Sequence, residues 1–319
     1  MKSLLAKFND GSSRALAKIV SIIENRTEGY EKLMAELYHK PNQNSYRVGI
    51  TGPPGAGKSS LLDRIALTSK YSDYPIGIVA IDPSSSFTGG AILGDRVRMR
   101  DLATKENIYI RSMASRGSMG GLSEATKDVL VALEAFGKEF ILLETVGVGQ
   151  VELDIIDASD TVVVVLTPES GDSIQAMKSG IIEIADIFAV NKSDREGAEY
   201  FAMELSTILD LKERTDTSWI PPIINTIAST GEGVDDLVSA IESHKKFKLK
   251  TGLFKAHRIR QIQQKIKETI ISRIDIFIEN EGLLDNDLDQ IAEDIIVGQN
   301  DPYTFVDSKF PIRKFRLIK

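Results

Sequence analysis

Between Gly49 and Ser60 the chain reads GITGPPGAGKSS, with four glycines and two prolines in twelve residues. Both residue types weaken a helix interior, so the stretch is a turn rather than part of a regular element. Its flanks are regular. Tyr46-Arg47-Val48-Gly49-Ile50 reads as a short strand entering it, and Ser60 to Ala66 reads as a helix leaving it, with apolar positions 61, 62 and 65 on one side. Strand, glycine-rich turn and helix follow one another directly, the context in which such a turn binds phosphate.

The turn fits G-x-x-x-x-G-K-[ST], as Gly52-Pro53-Pro54-Gly55-Ala56-Gly57-Lys58-Ser59, followed by Ser60. Glycines let successive backbone N–H groups face one concavity, an anion nest. The helix that follows adds its unpaired N-terminal N–H groups and positive dipole end. Lys58 is placed to reach the β- and γ-phosphates of a nucleotide, and the Ser59 hydroxyl to ligate Mg2+. The sequence therefore predicts a nucleoside triphosphate site. The base and its use must be read elsewhere.

From residue 46 to about 245 strands alternate with helices. The strand candidates are 46–50, 76–81, 107–110, 139–143, 161–166, 186–190 and 223–227. Several are continuously apolar, such as Thr161-Val162-Val163-Val164-Val165-Leu166, the pattern of a parallel strand covered on both faces. The expected fold is α/β, a doubly wound, mostly parallel sheet. Residues 12–40 read as two amphipathic helices, with Leu16, Ile19, Val20 and Ile23 on one stripe and Tyr30, Leu33, Met34 and Leu37 on the next. After HKKFKLKTG the pattern changes. Ile259, Ile262, Ile266, Ile270, Ile274 and Phe277 form a long helical stripe, and Leu284, Leu288, Ile291 and Ile295 a shorter one. The long stripe either packs on its own domain or serves as a dimerisation arm. The expected organisation is an N-terminal helical extension over 1–45, a nucleotide-binding domain over 46–245 and a C-terminal helical arm over 246–319.

The base is read at the end of the sixth strand. Asp186-Ile187-Phe188-Ala189-Val190 leads into Asn191-Lys192-Ser193-Asp194. In N-K-x-D a carboxylate at Asp194 accepts from the ring N–H and exocyclic amine of guanine, an edge that adenine lacks. Asn191 bonds the far edge of the base or braces the phosphate loop, and the Lys192 stem lies over the base plane. In NTIASTGEGVDDL, Ala228 sits where a backbone N–H meets the guanine carbonyl, and Gly231-Glu232-Gly233 opens the next helix.

Catalysis and metal binding are read between these motifs. Phe140-Ile141-Leu142-Leu143-Glu144 is an apolar strand ending in a carboxylate, the second metal-supporting element of such proteins. Gly147 keeps the position whose N–H touches the γ-phosphate. Val148 follows it, not a water-positioning Gln, and Gln150 is displaced, so slow intrinsic turnover is expected. A second acidic strand end is Asp82, followed by Pro83, which also reads as a plain Asp-Pro turn. Asp95 lies in FTGGAILGDRVRM with Arg96 and Arg98, which also read as surface charges. Asp82, Asp95 and Glu144 are the candidates to converge with Ser59 on Mg2+, which takes few carboxylates beside waters and phosphate oxygens. Lys58, Asp82, Asp95 and Glu144 are the candidate catalytic residues.

Composition excludes several classes. With 39 Lys and Arg against 46 Asp and Glu, the net charge of −7 argues against a general nucleic-acid or membrane-surface binder. Zero cysteines exclude disulfides and thiolate metal sites, and the three histidines, His39, His244 and His257, are scattered. No apolar run is long enough to cross a membrane and the N-terminal stretch is not a secretion signal, which makes the cytoplasm the expected location.

These segments together resemble the GTPases that serve cobalamin enzymes, in particular the methylmalonyl-CoA-mutase-associated (MeaB/ArgK-type) family. The resemblance rests on GITGPPGAGKSSLLD, IDPSSSFTGGAILGDRVRM, RSMASRGSMGGLSEAT, ETVGVGQVE, TPESGDSIQAMKSGI and NKSD, with NDPYT near the C-terminus. It implies a homodimer joined through the C-terminal arm, which binds an adenosylcobalamin-dependent acyl-CoA mutase. It further implies GTP/GDP binding with Mg2+ and hydrolysis as a switch that gates cofactor loading and protects the mutase. The 170–180 segment matches a loop peculiar to the family, in which Asp172, Gln175 and Lys178 are the candidates for coupling nucleotide to partner; on spacing alone the segment also reads as an ordinary helix start. Three rivals fit less well. A nickel-inserting metallochaperone GTPase would carry Cys or His ligands, a small-molecule kinase would read adenine, and a scaffold would not keep Lys58, Ser59 and Glu144.

Overall fold

The structure is a computed structural model that describes residues 1–40, 42, 44–82, 102, 104–114, 124–145, 151–168, 181–210, 218–280 and 288–309. Seven strands form one parallel sheet: β1 (Tyr46–Thr51), β2 (Ile76–Asp82), β3 (Ile108–Ala114), β4 (Phe140–Glu144), β5 (Thr161–Leu166), β6 (Ile187–Asn191) and β7 (Ile223–Thr226). Their order is β3-β2-β4-β1-β5-β6-β7. All seven coincide with the sequence-predicted strands to within a few residues.

The reason is visible in the packing. Along β5, Val162, Val164 and Leu166 face one apolar cluster and Val163 and Val165 face the other. The same alternation runs through β6, with Phe188 and Val190 against Ile187 and Ala189. Period-two alternation with both faces buried gives an unbroken apolar run in sequence.

Helices cover both faces. One cluster holds α4 (Lys58–Leu67), the helix leaving the phosphate loop. The other holds α1 (Lys2–Asn9), α2 (Ser13–Asn25), α3 (Tyr30–Tyr38), α5 (Glu124–Ala135) and part of α6 (Val151–Ala158). In α2, Leu16, Ile19, Val20 and Ile23 are fully buried, as their stripe predicts. Ion pairs from Arg26 to Glu124 and from Glu24 to Arg111 tie α2 to α5 and β3. Among the described residues, the remaining α-helices of the sheet domain are α7 (Ile181–Ile184), α8 (Ala198–Asp210) and α9 (Val234–Thr251).

Helix α9 runs through most of the charged stretch HKKFKLKTG that marks a change of pattern in the sequence. Lys248 donates to the Asp160 carbonyl at 2.7 Å, and the Lys245 ammonium lies 5.2 Å from the centre of the Tyr46 ring. The buried His244 meets Thr161 Oγ1 at 2.9 Å, and burial pushes its pKa down to about 3. Apolar stems carry these charged heads over the sheet.

Packing divides the chain into Met1–Lys255 and Ala256–Lys319. Helix α10 (Leu253–Asn280) begins at the end of the first unit. The second unit contains the rest of α10 with α11 (Leu288–Ile296) and α12 (Pro302–Lys309). Ile259, Ile262, Ile266, Ile270, Ile274 and Phe277 of α10 are all exposed. Leu284 lies outside the described residues. No described helix is long and apolar enough to cross a membrane.

Candidate functional site

The glycine-rich turn leaves β1 at the carboxyl edge of the sheet, beside β4 and β5, where open α/β sheets bind ligands. Gly52 starts the turn at a φ of +137°, and a Cβ there would lie 2.1 Å from the Val165 carbonyl oxygen. Only glycine allows the loop to start flush against the neighbouring strand. Lys58, the first residue of α4, is buried. Its ammonium donates to the carbonyls of Gly52 and Pro53 at 2.8 and 3.0 Å, so it is held over its own loop.

The next residue points to β4. Ser59 Oγ donates to Glu144 Oε1 at 2.6 Å. Glu144 is placed by sheet register, paired with Ile50 of β1 and Ala80 of β2. Thr145 secures the strand end: its N–H donates to the Ile50 carbonyl at 3.1 Å and its hydroxyl to Thr51 Oγ1 at 2.9 Å. A hydroxyl and a carboxylate are thus fixed in contact beside the loop, a pair of hard oxygen donors. Asp82 closes β2, but its side chain, and all of Asp95, Gly147, Asp172, Gln175 and Lys178, lie outside the described residues.

The N-K-x-D turn joins the loop from the other side. Asn191 ends β6 and is buried. Its Nδ2 donates to the Ala56 carbonyl at 2.7 Å, and its Oδ1 accepts from the Ala228 N–H at 3.0 Å and the Thr226 hydroxyl at 3.3 Å. Of the two roles open to Asn191 in the sequence, the structure shows the brace. Gly57 makes room for it: at φ +90°, a Cβ there would lie 2.3 Å from Asn191 Nδ2. Lys192 turns the chain through a left-handed φ of 58°, and Ser193 bonds the Thr226 carbonyl through both N–H and hydroxyl at 3.1 Å. Asp194 follows on this turn, exposed. The Ala228 N–H, expected to face a guanine carbonyl, is given to Asn191 here, because the two groups are adjacent in the brace.

These parts share one cavity of about 680 Å3, lined by Gly55, Gly57, Lys58, Ser59, Ser60, Glu144, Lys192 and Ala228 among others. That lies within the usual range for small-molecule sites. Pro54 and Asp194 are exposed and do not line it; Gly52, Pro53 and Ala56 form the loop behind it. Sequence reasoning missed the Thr51–Thr145 pair and the Arg64 contacts to the carbonyls of Ala228 and Ser229. An isolated threonine or a helix-surface arginine carries no signal of its partner.

Asn191→Ala leaves the buried Ala56 carbonyl and Ala228 N–H without their partner. A buried group left unsatisfied costs about 1–3 kcal/mol. The expected result is a loss of stability of that order in chemical denaturation, with weakened nucleotide affinity in calorimetry. Unchanged values in both would contradict the brace.

Comparison with known proteins follows the same lines. A Pyrococcus horikoshii relative is 44% identical over 306 residues, covering 95% of each chain. The GTPase ArgK of Escherichia coli is 31% identical over 266 residues, covering 82% of this chain and 79% of its own. The mitochondrial methylmalonic aciduria type A homolog of Mus musculus is 36% identical over 234 residues, covering 72% of this chain and 56% of its own. Among solved structures, one titled LAO/AO transport system kinase superposes with a TM-score of 0.73 at 21% identity, covering 98% of this chain and 97% of its own, and shows the same fold. The family model described as methylmalonyl-CoA-mutase-associated GTPase MeaB matches residues 16–280. With its phosphate loop, its N-K-x-D turn and its parallel sheet, the chain belongs to the MeaB family of GTPases.

Proposed function

We propose that this chain binds GTP and GDP with Mg2+, hydrolyses GTP slowly on its own, and uses that cycle to gate adenosylcobalamin loading onto an acyl-CoA mutase. The partner of choice is methylmalonyl-CoA mutase, named in the description of the family. The observation that carries the reading is the convergence of Lys58, Ser59, Glu144 and Lys192 of the N-K-x-D turn on one cavity, with Asn191 bonded to the phosphate loop behind it.

On this reading the loop N–H groups and Lys58 hold the phosphates. Asp194 accepts from the guanine edge, and the Lys192 stem covers the base. Asn191 holds the two halves at fixed spacing. Ser59 and Glu144 would hold Mg2+; they are oxygen donors in contact, and Mg2+ takes its remaining oxygens from phosphates and waters. When bound, the cation neutralises charge on the phosphate oxygens. Asp82 and Asp95 are the further carboxylates proposed for this region, and Gly147 the γ-phosphate contact.

Slow turnover is supported by Val148 standing where a water-positioning Gln would be. The partner then accelerates the reaction, with Asp172, Gln175 and Lys178 of the 170–180 segment as the coupling residues. The proposed units are 1–45, 46–245 and 246–319. The exposed isoleucines of α10 support 246–319 as the arm through which two copies pair. A large exposed apolar row of this kind marks an interaction surface.

Two results test this. Glu144→Ala should keep GDP affinity, because Glu144 is remote from the base turn, while GTP turnover falls by ~10²–10³. Turnover that survives would move the role to Asp82 or Asp95. The tagged protein, incubated with native cell extract, should capture an acyl-CoA mutase in an amount that changes when a non-hydrolysable GTP analogue is added. Absence of any mutase in both conditions would contradict the chaperone role.

A further inference from the structure

Arg64 lies on α4, beyond Lys58 and Ser59 at its start. Its Nε donates to the Ala228 carbonyl at 3.0 Å, and its Nη2 donates to the Ser229 carbonyl at 2.5 Å. The planar guanidinium fork presents donors along one edge, which suits two successive carbonyls; a lysine offers one point charge. Both peptide groups flanking Ala228 are therefore held, the preceding one at its N–H by Asn191 and the following one at its carbonyl by Arg64. Asn191 in turn is anchored on the Ala56 carbonyl of the phosphate loop.

The contacts close a ring. It runs from the phosphate loop through Asn191 to Ala228–Ser229, and through Arg64 back to the helix that the phosphate loop begins. Arg64 lines the same cavity as Lys58, Ser59, Lys192 and Ala228. Among the described contacts Asn191 bonds the N–H of Ala228 and Arg64 the carbonyls of Ala228 and Ser229, and Gly231 just beyond has a left-handed φ of 92°. The turn's own bonds run from the Thr230 and Gly231 N–H groups to the Ile227 carbonyl, and Arg64 adds the contacts to the Ala228 and Ser229 carbonyls.

We infer that Arg64 is a positioning residue for base recognition, fixing the Ala228–Ser229 segment against the phosphate-binding helix so that the base edge and the phosphates are read in one register. This rests on the guanine reading of the site. The base-facing atoms move when the fork is lost, while the phosphate cradle, which is built from the loop backbone and Lys58, stays in place.

The test compares wild type, Arg64→Ala and Arg64→Lys by calorimetry with GTP, ATP and inorganic tripolyphosphate, each with Mg2+. Circular dichroism and thermal melting confirm the folded state of each variant. In Arg64→Ala, GTP affinity should fall by roughly tenfold, as expected for loss of charge-assisted hydrogen bonds. The preference for GTP over ATP should shrink by the same factor, while tripolyphosphate affinity stays within about twofold. Arg64→Lys should recover part of the preference by reaching one carbonyl, a rescue that a loss of general stability would not give. An equal loss for GTP and tripolyphosphate would overturn the assignment, placing Arg64 on the phosphates. An undiminished preference for GTP in Arg64→Ala would overturn it too, leaving the guanine reading intact. A wild type with no preference for GTP over ATP would instead overturn the guanine reading, and with it the role given to Arg64. Should Arg64→Ala fail to fold, Arg64→Lys alone decides, with a partial loss of the GTP preference expected and an unchanged preference against it.

Discussion

One buried amide, Asn191, holds the site together. Its nitrogen is bonded to the Ala56 carbonyl in the phosphate loop, and its oxygen accepts from Ala228 and Thr226 beside β7. The loop rises from β1 and Asn191 ends β6, with β5 between them. Adjacent strands lie about 4.8 Å apart, so the sheet sets a fixed distance between the two motifs. A side chain of one length, at one strand end, spans it. Gly57 without a Cβ is the matching concession in the loop. Because buried polar groups must be paired, the brace also dictates where the neighbouring backbone can lie.

Two charged groups of the site also have hydrogen bonds to neutral groups at fixed places. Lys58 is bonded to two carbonyls of its loop, and Glu144 to the Ser59 hydroxyl. The Thr51–Thr145 bond and the β1–β4 register hold Glu144 in line with the loop. A carboxylate and a hydroxyl set in advance need little rearrangement on taking up a cation, which is the sense in which such a site is preorganised. The base side is built from turns rather than strands, and so depends on side-chain contacts such as those of Arg64 and Ser193.

Much of the fold was legible because burial on both faces leaves unbroken apolar runs, and β5 is the plainest case. The stripe of Leu16, Ile19, Val20 and Ile23 was equally plain. Helix α1 was not, since it buries only Phe8, against Phe136, and one aromatic residue makes no period. The end of α9 was less plain, because its lysines make no apolar period, and their contacts to the Asp160 carbonyl and the Tyr46 ring are visible only in the fold. In the site, the phosphate loop and the N-K-x-D turn could be found from spacing. The choice between two roles for Asn191 could not, because its amide has the same donors and acceptors in either. The Ala228 N–H shows the same limit: its position was legible, but its partner in the fold was not. Arg64 had no signal at all.

The central claim is that the N-K-x-D turn, braced to the phosphate loop by Asn191, reads guanine through Asp194. The most direct test is the nucleotide preference of Asp194→Asn against wild type, by calorimetry with GDP and xanthosine diphosphate. The new amide offers a donor where the carboxylate accepted two, and xanthine offers a carbonyl in place of the guanine amine. The account predicts that GDP affinity falls by roughly ten- to a hundredfold, as for a lost charged hydrogen bond, while xanthosine diphosphate gains. Unchanged GDP affinity in Asp194→Asn would contradict it.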